Sequence, residues 1–163
     1  MNASIGGTSR DELFADVYAD NFDSLVRLAS LLVDSAAAGE DIVQDSFAKL
    51  FVRLETVTAP QAWLRTTVVN ACRNERRRLG TARRYASRLA GQSTAIDPPV
   101  DELIASLRRL PNRQRAAVVL RYYADLPEAE IAAILGTRIG TVKSALHRAR
   151  VRLQSEVTDE PDF

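Results

Sequence analysis

Four side chains near the C-terminal end of the chain have the types a nucleic-acid reader needs. Lys143, Ser144, His147 and Arg148 lie on one side of a segment whose other side carries Val142, Leu146, Ala149 and Leu153, spaced four, three and four. That spacing makes the apolar set the inward stripe of a helix and turns the polar set outward. Hydroxyl, imidazole and cationic groups on such a face suit base edges and phosphates. A second set lies at the chain's middle. Trp63 and Asn70 are seven residues apart, so they share one helix face. There an indole can stack on a base and an amide can bond a base edge. Arg65, Arg73, Arg76 and Arg77 beside them supply charge for a phosphate backbone. A third set, Asp41, Gln44 and Asp45, gives an acidic, amide-bearing face suited to a basic protein surface.

The elements that must hold these groups are helical throughout. Phe14, Val17, Tyr18, Phe22, Leu25, Leu28, Ala29 and Leu32 recur at helical steps, which predicts a helix from about Asp11 to Val33. A second helix is expected from about Ala37 to Leu54, with Ile42, Val43, Phe47, Leu50 and Phe51 inward. Pro60 suits a first turn and opens a third helix to about Arg78. After Leu79 the composition changes: Gly80, and then Gly91 to Pro99, are rich in breakers. The third helix is therefore expected to end before Gly80, with a separate helical stretch possible over 82–90. After the double proline, short helices follow. Leu126 to Arg150 reads as helix, tight turn, helix, with Gly136 at the turn and Ile131, Leu135, Ile139, Val142 and Leu146 as its core. No alternation typical of strands appears. The expected fold is all-α: two small helical domains joined by a flexible linker, the C-terminal one a helix-turn-helix. The expected divisions are a disordered N-terminus over 1–10, a first domain over 11–88, a linker over 89–99, a second domain over 100–157 and an acidic tail over 158–163.

Composition sets the limits. The chain has 163 residues and a formal net charge of +1, with one His and one Cys. One Cys cannot form an internal disulfide, and one Cys with one His cannot build a structural zinc site. No phosphate-binding loop or catalytic His cluster is present, so neither an enzyme nor a cofactor is expected. No apolar run approaches the roughly 18 residues of a membrane span, and the start lacks a signal peptide's apolar core. A cytoplasmic protein without membrane insertion is the expectation. The near-zero charge conceals segregation. From Asp11 to Glu55 there are ten acids and three bases; from Arg65 to Arg88, eight arginines and one acid; from Arg138 to Arg152, five bases and no acid. An acidic block followed by two basic ones fits a chain that meets a protein once and nucleic acid twice.

Three stretches carry a family resemblance. Glu40-Asp-Ile-Val-Gln-Asp-Ser-Phe47 resembles the region-two motif of bacterial sigma factors. Pro60 to Arg78, with Trp63, Asn70 and its arginines, resembles the promoter-melting helix that follows that motif. Leu110-Pro-Asn-Arg-Gln-Arg to Tyr123, together with the helix-turn-helix, resembles region four. The whole is similar to an extracytoplasmic-function sigma factor holding regions two and four only, over about residues 11–155.

The resemblance implies specific roles. Asp41, Gln44 and Asp45 would dock on the clamp helices of the beta-prime subunit of core RNA polymerase. Trp63, Arg65, Asn70, Arg73, Arg76 and Arg77 would bind and melt the minus-ten element, with a base held near the loop from Glu55 to Pro60. Lys143, Ser144, His147 and Arg148 would enter the major groove at minus thirty-five, with Arg121 on a phosphate. An anti-sigma factor or other regulator is implied as a further partner. Two positions depart from the family's pattern: Ala145 stands where relatives commonly carry Arg, and Phe51 where they often have Trp. The competing reading, a helix-turn-helix regulator that binds operators without polymerase, explains residues 100–157 only.

Overall fold

The computed structural model describes the backbone of residues 9–89 and 102–158 and the side chains of 9–82 and 102–155. Helix α1 spans Arg10–Val33, one residue earlier than the periodicity predicts. Its start is set by a reciprocal cap: the Glu12 N–H donates to Ser9 Oγ at 3.4 Å, and the Ser9 N–H donates to Glu12 Oε2 at 2.8 Å. Ser9 and Arg10 thus belong to the folded unit, although a disordered 1–10 was the expectation; residues 1–8 lie outside the described residues. Asp34, at φ 68°, closes the helix in the left-handed region, and Ser35 caps α2 (Ala36–Arg53) through the Ala38 N–H at 3.2 Å. The α1 and α2 backbones come very close at Gly39, where an added Cβ would lie 2.8 Å from the Ser30 nitrogen.

Helix α3 (Pro60–Leu89) corrects the sequence reading. It runs through Gly80 without interruption, so the linker expected to begin at 89 can start only where α3 ends. A glycine inside a helix costs about 1 kcal/mol relative to alanine, too little to end a helix flanked by Arg, Leu and Ala. Helices α1 to α3 close over Leu28, Ala29, Val43, Phe47, Leu50, Leu64, Val68 and Val69, each 3% exposed or less. At one end the rings of Phe14, Tyr18, Phe22, Phe47 and Phe51 pack together, with Tyr18 and Phe22 stacked at 4.6 Å. Phe51, expected inward, is 41% exposed and carries the Arg10 guanidinium over its outer face at 4.8 Å.

The second half comprises α4 (Glu102–Arg109), α5 (Asn112–Val118), a π-helical turn over Val119–Tyr123, α6 (Glu128–Leu135) and α7 (Ile139–Thr158). Gly136, at φ 61°, supplies the tight turn between α6 and α7. The Thr137 N–H reaches the Ala132 carbonyl at 2.9 Å and the Gly136 N–H the Ala133 carbonyl at 3.2 Å, the bonds of a Schellman cap. Ile131 and Val142 are sealed, with Leu135 and Leu146 half-buried against them. Ile139, expected in that core, is 45% exposed, because the first turn of α7 stands clear of α6.

The halves are not separate in space. Leu120, Leu126, Ile131 and Val142 of the second half belong to the same continuous apolar cluster as the core of α1 to α3. Helix α3 packs on α6, and α1 on the π-helical turn. Among the described residues there is no strand.

Candidate nucleic-acid interface

Helix α7 presents Lys143, Ser144, His147 and Arg148 to solvent, as the stripe argument requires. Val142 and Ala149 are buried behind them. Lys143 Nζ lies 3.9 Å from Glu128 Oε2, a loose and largely exposed pair, so it is cheaply exchanged for a phosphate. The Ser144 hydroxyl donates back to the Gly140 carbonyl at 2.9 Å. Arg121 behaves differently. Its Nη1 donates to the Leu126 carbonyl at 3.0 Å, which ties down the turn before α6. In this structure it braces the motif's entry and does not stand free beside the α7 face.

On the first half, Trp63 is half-buried against the apolar core and also forms one wall of a surface cavity of about 520 Å³. Thr56, Val57, Thr58 and Ala59 of the α2–α3 connection form the other wall. Apolar and hydroxyl groups around one indole make a site that can hold a flat ring. Asn70 is exposed further along α3.

The four arginines of α3 do not share one environment. Arg65 Nη1 pairs with Glu130 Oε1 of α6 at 2.8 Å, and Arg73 Nη1 donates to the Leu135 carbonyl at the end of α6 at 3.1 Å. Arg76 Nη1 donates to the Leu32 carbonyl at 3.0 Å, within the first half. Arg77 is exposed. Burial, followed by the like charges of Arg77 and Arg113, pushes the Arg73 guanidinium below its usual range. Two of the expected melting arginines therefore hold the second half in place.

Asp41, Gln44 and Asp45 lie exposed along α2. Asp45 pairs with Lys49 at 2.6 Å and the Gln44 amide donates to Glu40 at 3.1 Å, local bonds of one helix surface.

Two features were not singled out from the sequence. The first is an apolar groove of about 870 Å³ whose walls include Leu103, Ile104, Tyr122, Leu146 and Leu153, with Tyr122 73% exposed. The adjacent tyrosines 122 and 123, with no polar role at that spacing, were the available signal. The second is Arg115, which is 1% exposed. Its Nε donates to the Leu31 carbonyl at 2.7 Å and its Nη2 stands 3.7 Å from Asp34 Oδ1, an ion pair too long for a hydrogen bond. Arg108 pairs with the same carboxylate. No sequence pattern separates Arg115 from its exposed neighbour Arg113.

Among the described residues no three His, Cys, Asp or Glu side chains group as a metal site requires, and no helix is long and apolar enough to cross a membrane.

Residues 17–82 match the family model "Sigma-70 region 2" and residues 101–153 match "Sigma-70, region 4". The RNA polymerase sigma-E factor of Streptomyces coelicolor is 33% identical over 143 residues, covering 83% of this chain and 80% of that one. The ECF RNA polymerase sigma factor SigW of Bacillus subtilis is 24% identical over 91% of this chain and 90% of its own. Among solved structures, the sigma factor RpoE of Bartonella quintana, crystallised with the anti-sigma factor NepR, superposes with a TM-score of 0.74 at 27% identity. That match covers 92% of this chain and 99% of that one.

Proposed function

This chain belongs to the sigma-70 family, in its extracytoplasmic-function group, and on that footing we propose how its two helical halves divide the work of transcription initiation. It is a non-enzymatic initiation factor that binds core RNA polymerase, recognises promoter DNA and promotes its opening. The observation that carries the reading is the pairing, in one chain, of an indole-walled cavity on α3 with an exposed basic recognition helix at α7.

The acidic face of α2, with Asp41, Gln44 and Asp45, docks on the clamp helices of the beta-prime subunit. The Trp63 cavity takes a base flipped from the minus-ten element. Extraction costs a few kcal/mol; stacking at about 1–3 kcal/mol per base and backbone contacts from Arg76 and Arg77 offset it. Lys143, Ser144, His147 and Arg148 read the minus-thirty-five element in the major groove. Arg121 acts on that element by holding the motif's entry through its bond to the Leu126 carbonyl.

Arg65 and Arg73 must leave α6 before they can serve DNA. The Arg65–Glu130 pair is 29% and 40% exposed on its two sides, and pairs of that kind are worth about 0–1 kcal/mol. A phosphate contact replaces it at little cost. The described structure is thus the free, closed form, and promoter binding in the cytoplasm opens it. The apolar groove walled by Tyr122 and Leu153 accepts an apolar helix from a protein regulator, in keeping with the RpoE relative's crystallisation with an anti-sigma factor.

Run-off transcription with purified core polymerase tests the reading. Specific transcripts should appear only when the protein is present, and Trp63→Ala should reduce opening on duplex templates far more than on templates already melted at minus ten. Equal loss on both templates would remove Trp63 from base capture.

A further inference from the structure

Between α3 and α5 lies a cleft of about 340 Å³ whose walls include Arg73, Arg76, Arg77, Arg113 and Arg115. No carboxylate is among its lining residues. Five arginines from the two halves of the chain therefore line one space, and mutual repulsion opposes gathering them there. Burial, followed by the like charges of Arg76 and Arg108, pushes Arg115 down to about 10. Asp34 offsets it only partly, since one carboxylate is shared between Arg108 and Arg115. Arg115 is the more telling member. Its side chain is 2% exposed, and neither Nη1 nor Nη2 has a hydrogen-bond partner. Buried donors of a charged group are ordinarily satisfied, and here both belong to a residue on the wall of a cleft large enough for a ligand.

We propose that this cleft is a binding site for a small polyphosphate anion of the pyrophosphate class, held between Arg73, Arg76 and Arg77 on α3 and Arg113 and Arg115 on α5. Planar guanidinium groups bind phosphate oxygens through paired, charge-assisted hydrogen bonds. The charge count selects the class. A single phosphate carries about two charges at neutral pH, which leaves most of the five cations unneutralised, whereas two linked phosphates meet more of them and span both walls. The anion binds only the closed form, since the two walls belong to different halves. It also occupies the α3 arginines assigned above to promoter phosphates, so it opposes promoter binding.

Calorimetric titration of the full chain with inorganic pyrophosphate, at low ionic strength and without magnesium, is the test. It needs neither polymerase nor promoter, so a negative result leaves the sigma-factor reading standing. The expected result is one saturable site per chain, at least tenfold tighter than for orthophosphate. Arg77→Gln and Arg113→Gln, both at exposed positions that folding does not need, should each weaken it at least tenfold, while Arg152→Gln on α7 leaves it unchanged. Absence of saturable binding, equal affinity for orthophosphate, or equal weakening by Arg152→Gln would overturn the proposal.

Discussion

At the scale of single residues, the side chains assigned to DNA differ in how freely they can act. Lys143 and Arg148 are exposed on α7 and bury nothing. Replacing either with alanine is expected to weaken binding to a minus-thirty-five duplex and lower the slope of log affinity against log salt by about one. Binding to core polymerase should be untouched, which gel shift and polymerase pull-down together can check. These residues were legible in the sequence because a four-three-four apolar stripe fixes which side of a helix faces water. Arg115 was not, because a buried arginine and a surface arginine look alike until the packing is known. Cys72 gives a further residue-scale test. It is fully buried, and burial pushes its thiol from 9.0 up to about 12. The folded state thus favours the protonated thiol, so its contribution to stability is complete below pH 9 and is lost as the pH rises toward 12. Urea unfolding at pH 8 and pH 10 should show a loss in the wild type that is smaller in Cys72→Ala. A thiol reagent at pH 8 should label Cys72 no faster than the protein unfolds.

At the scale of elements, helix identity was readable from periodicity and helix ends were readable only in part. The α6–α7 turn was expected at Gly136, and the cap found there explains why. By contrast, Gly80 carries the same residue type without the same consequence. It stands at an exposed point, with open space within 4 Å of where a Cβ would project, so the helix simply passes through it. Ile139 was assigned inward by spacing, but the first turn of a helix after a tight bend has little to pack against. Gly39 shows the opposite case, a glycine required by a close approach of two helices and not by a turn. A Cβ there would meet the backbone nitrogen of Ser30 at 2.8 Å, which no side-chain rotation relieves. Gly39→Ala is therefore expected to cost about 1–3 kcal/mol by spreading α1 from α2. A urea-denaturation midpoint measures it, and an unchanged midpoint would mean the two helices slide apart at no cost.

At the scale of the whole molecule, the sequence divided the chain into an acidic and two basic stretches, and the structure shows what holds the two halves together. Arg65, Arg73, Arg108 and Arg115 all bridge the halves, through Glu130, the Leu135 carbonyl, Asp34 and the Leu31 carbonyl. Contacts between residues sixty or more positions apart have no signature in a single sequence. With α3 ending at Leu89 and α4 starting at Glu102, twelve residues separate the helices. Fully extended they reach about 40 Å at roughly 3.3 Å each, whereas promoter elements two turns apart are about 70 Å from one another. The widths of the two helical units must supply the remainder. Because the Arg65–Glu130 pair is only partly buried, Glu130→Gln should raise promoter affinity in the presence of core by less than about fivefold, equivalent to about 1 kcal/mol. The central claim is that this chain directs polymerase to promoters through both halves together, and a run-off assay with purified core polymerase tests it most directly. Specific transcripts that depend on this protein, and that are lost when either Trp63→Ala or Lys143→Ala is used on duplex templates, are the expected result. Promoter binding by the protein alone, with no core association and no specific initiation, would contradict the account.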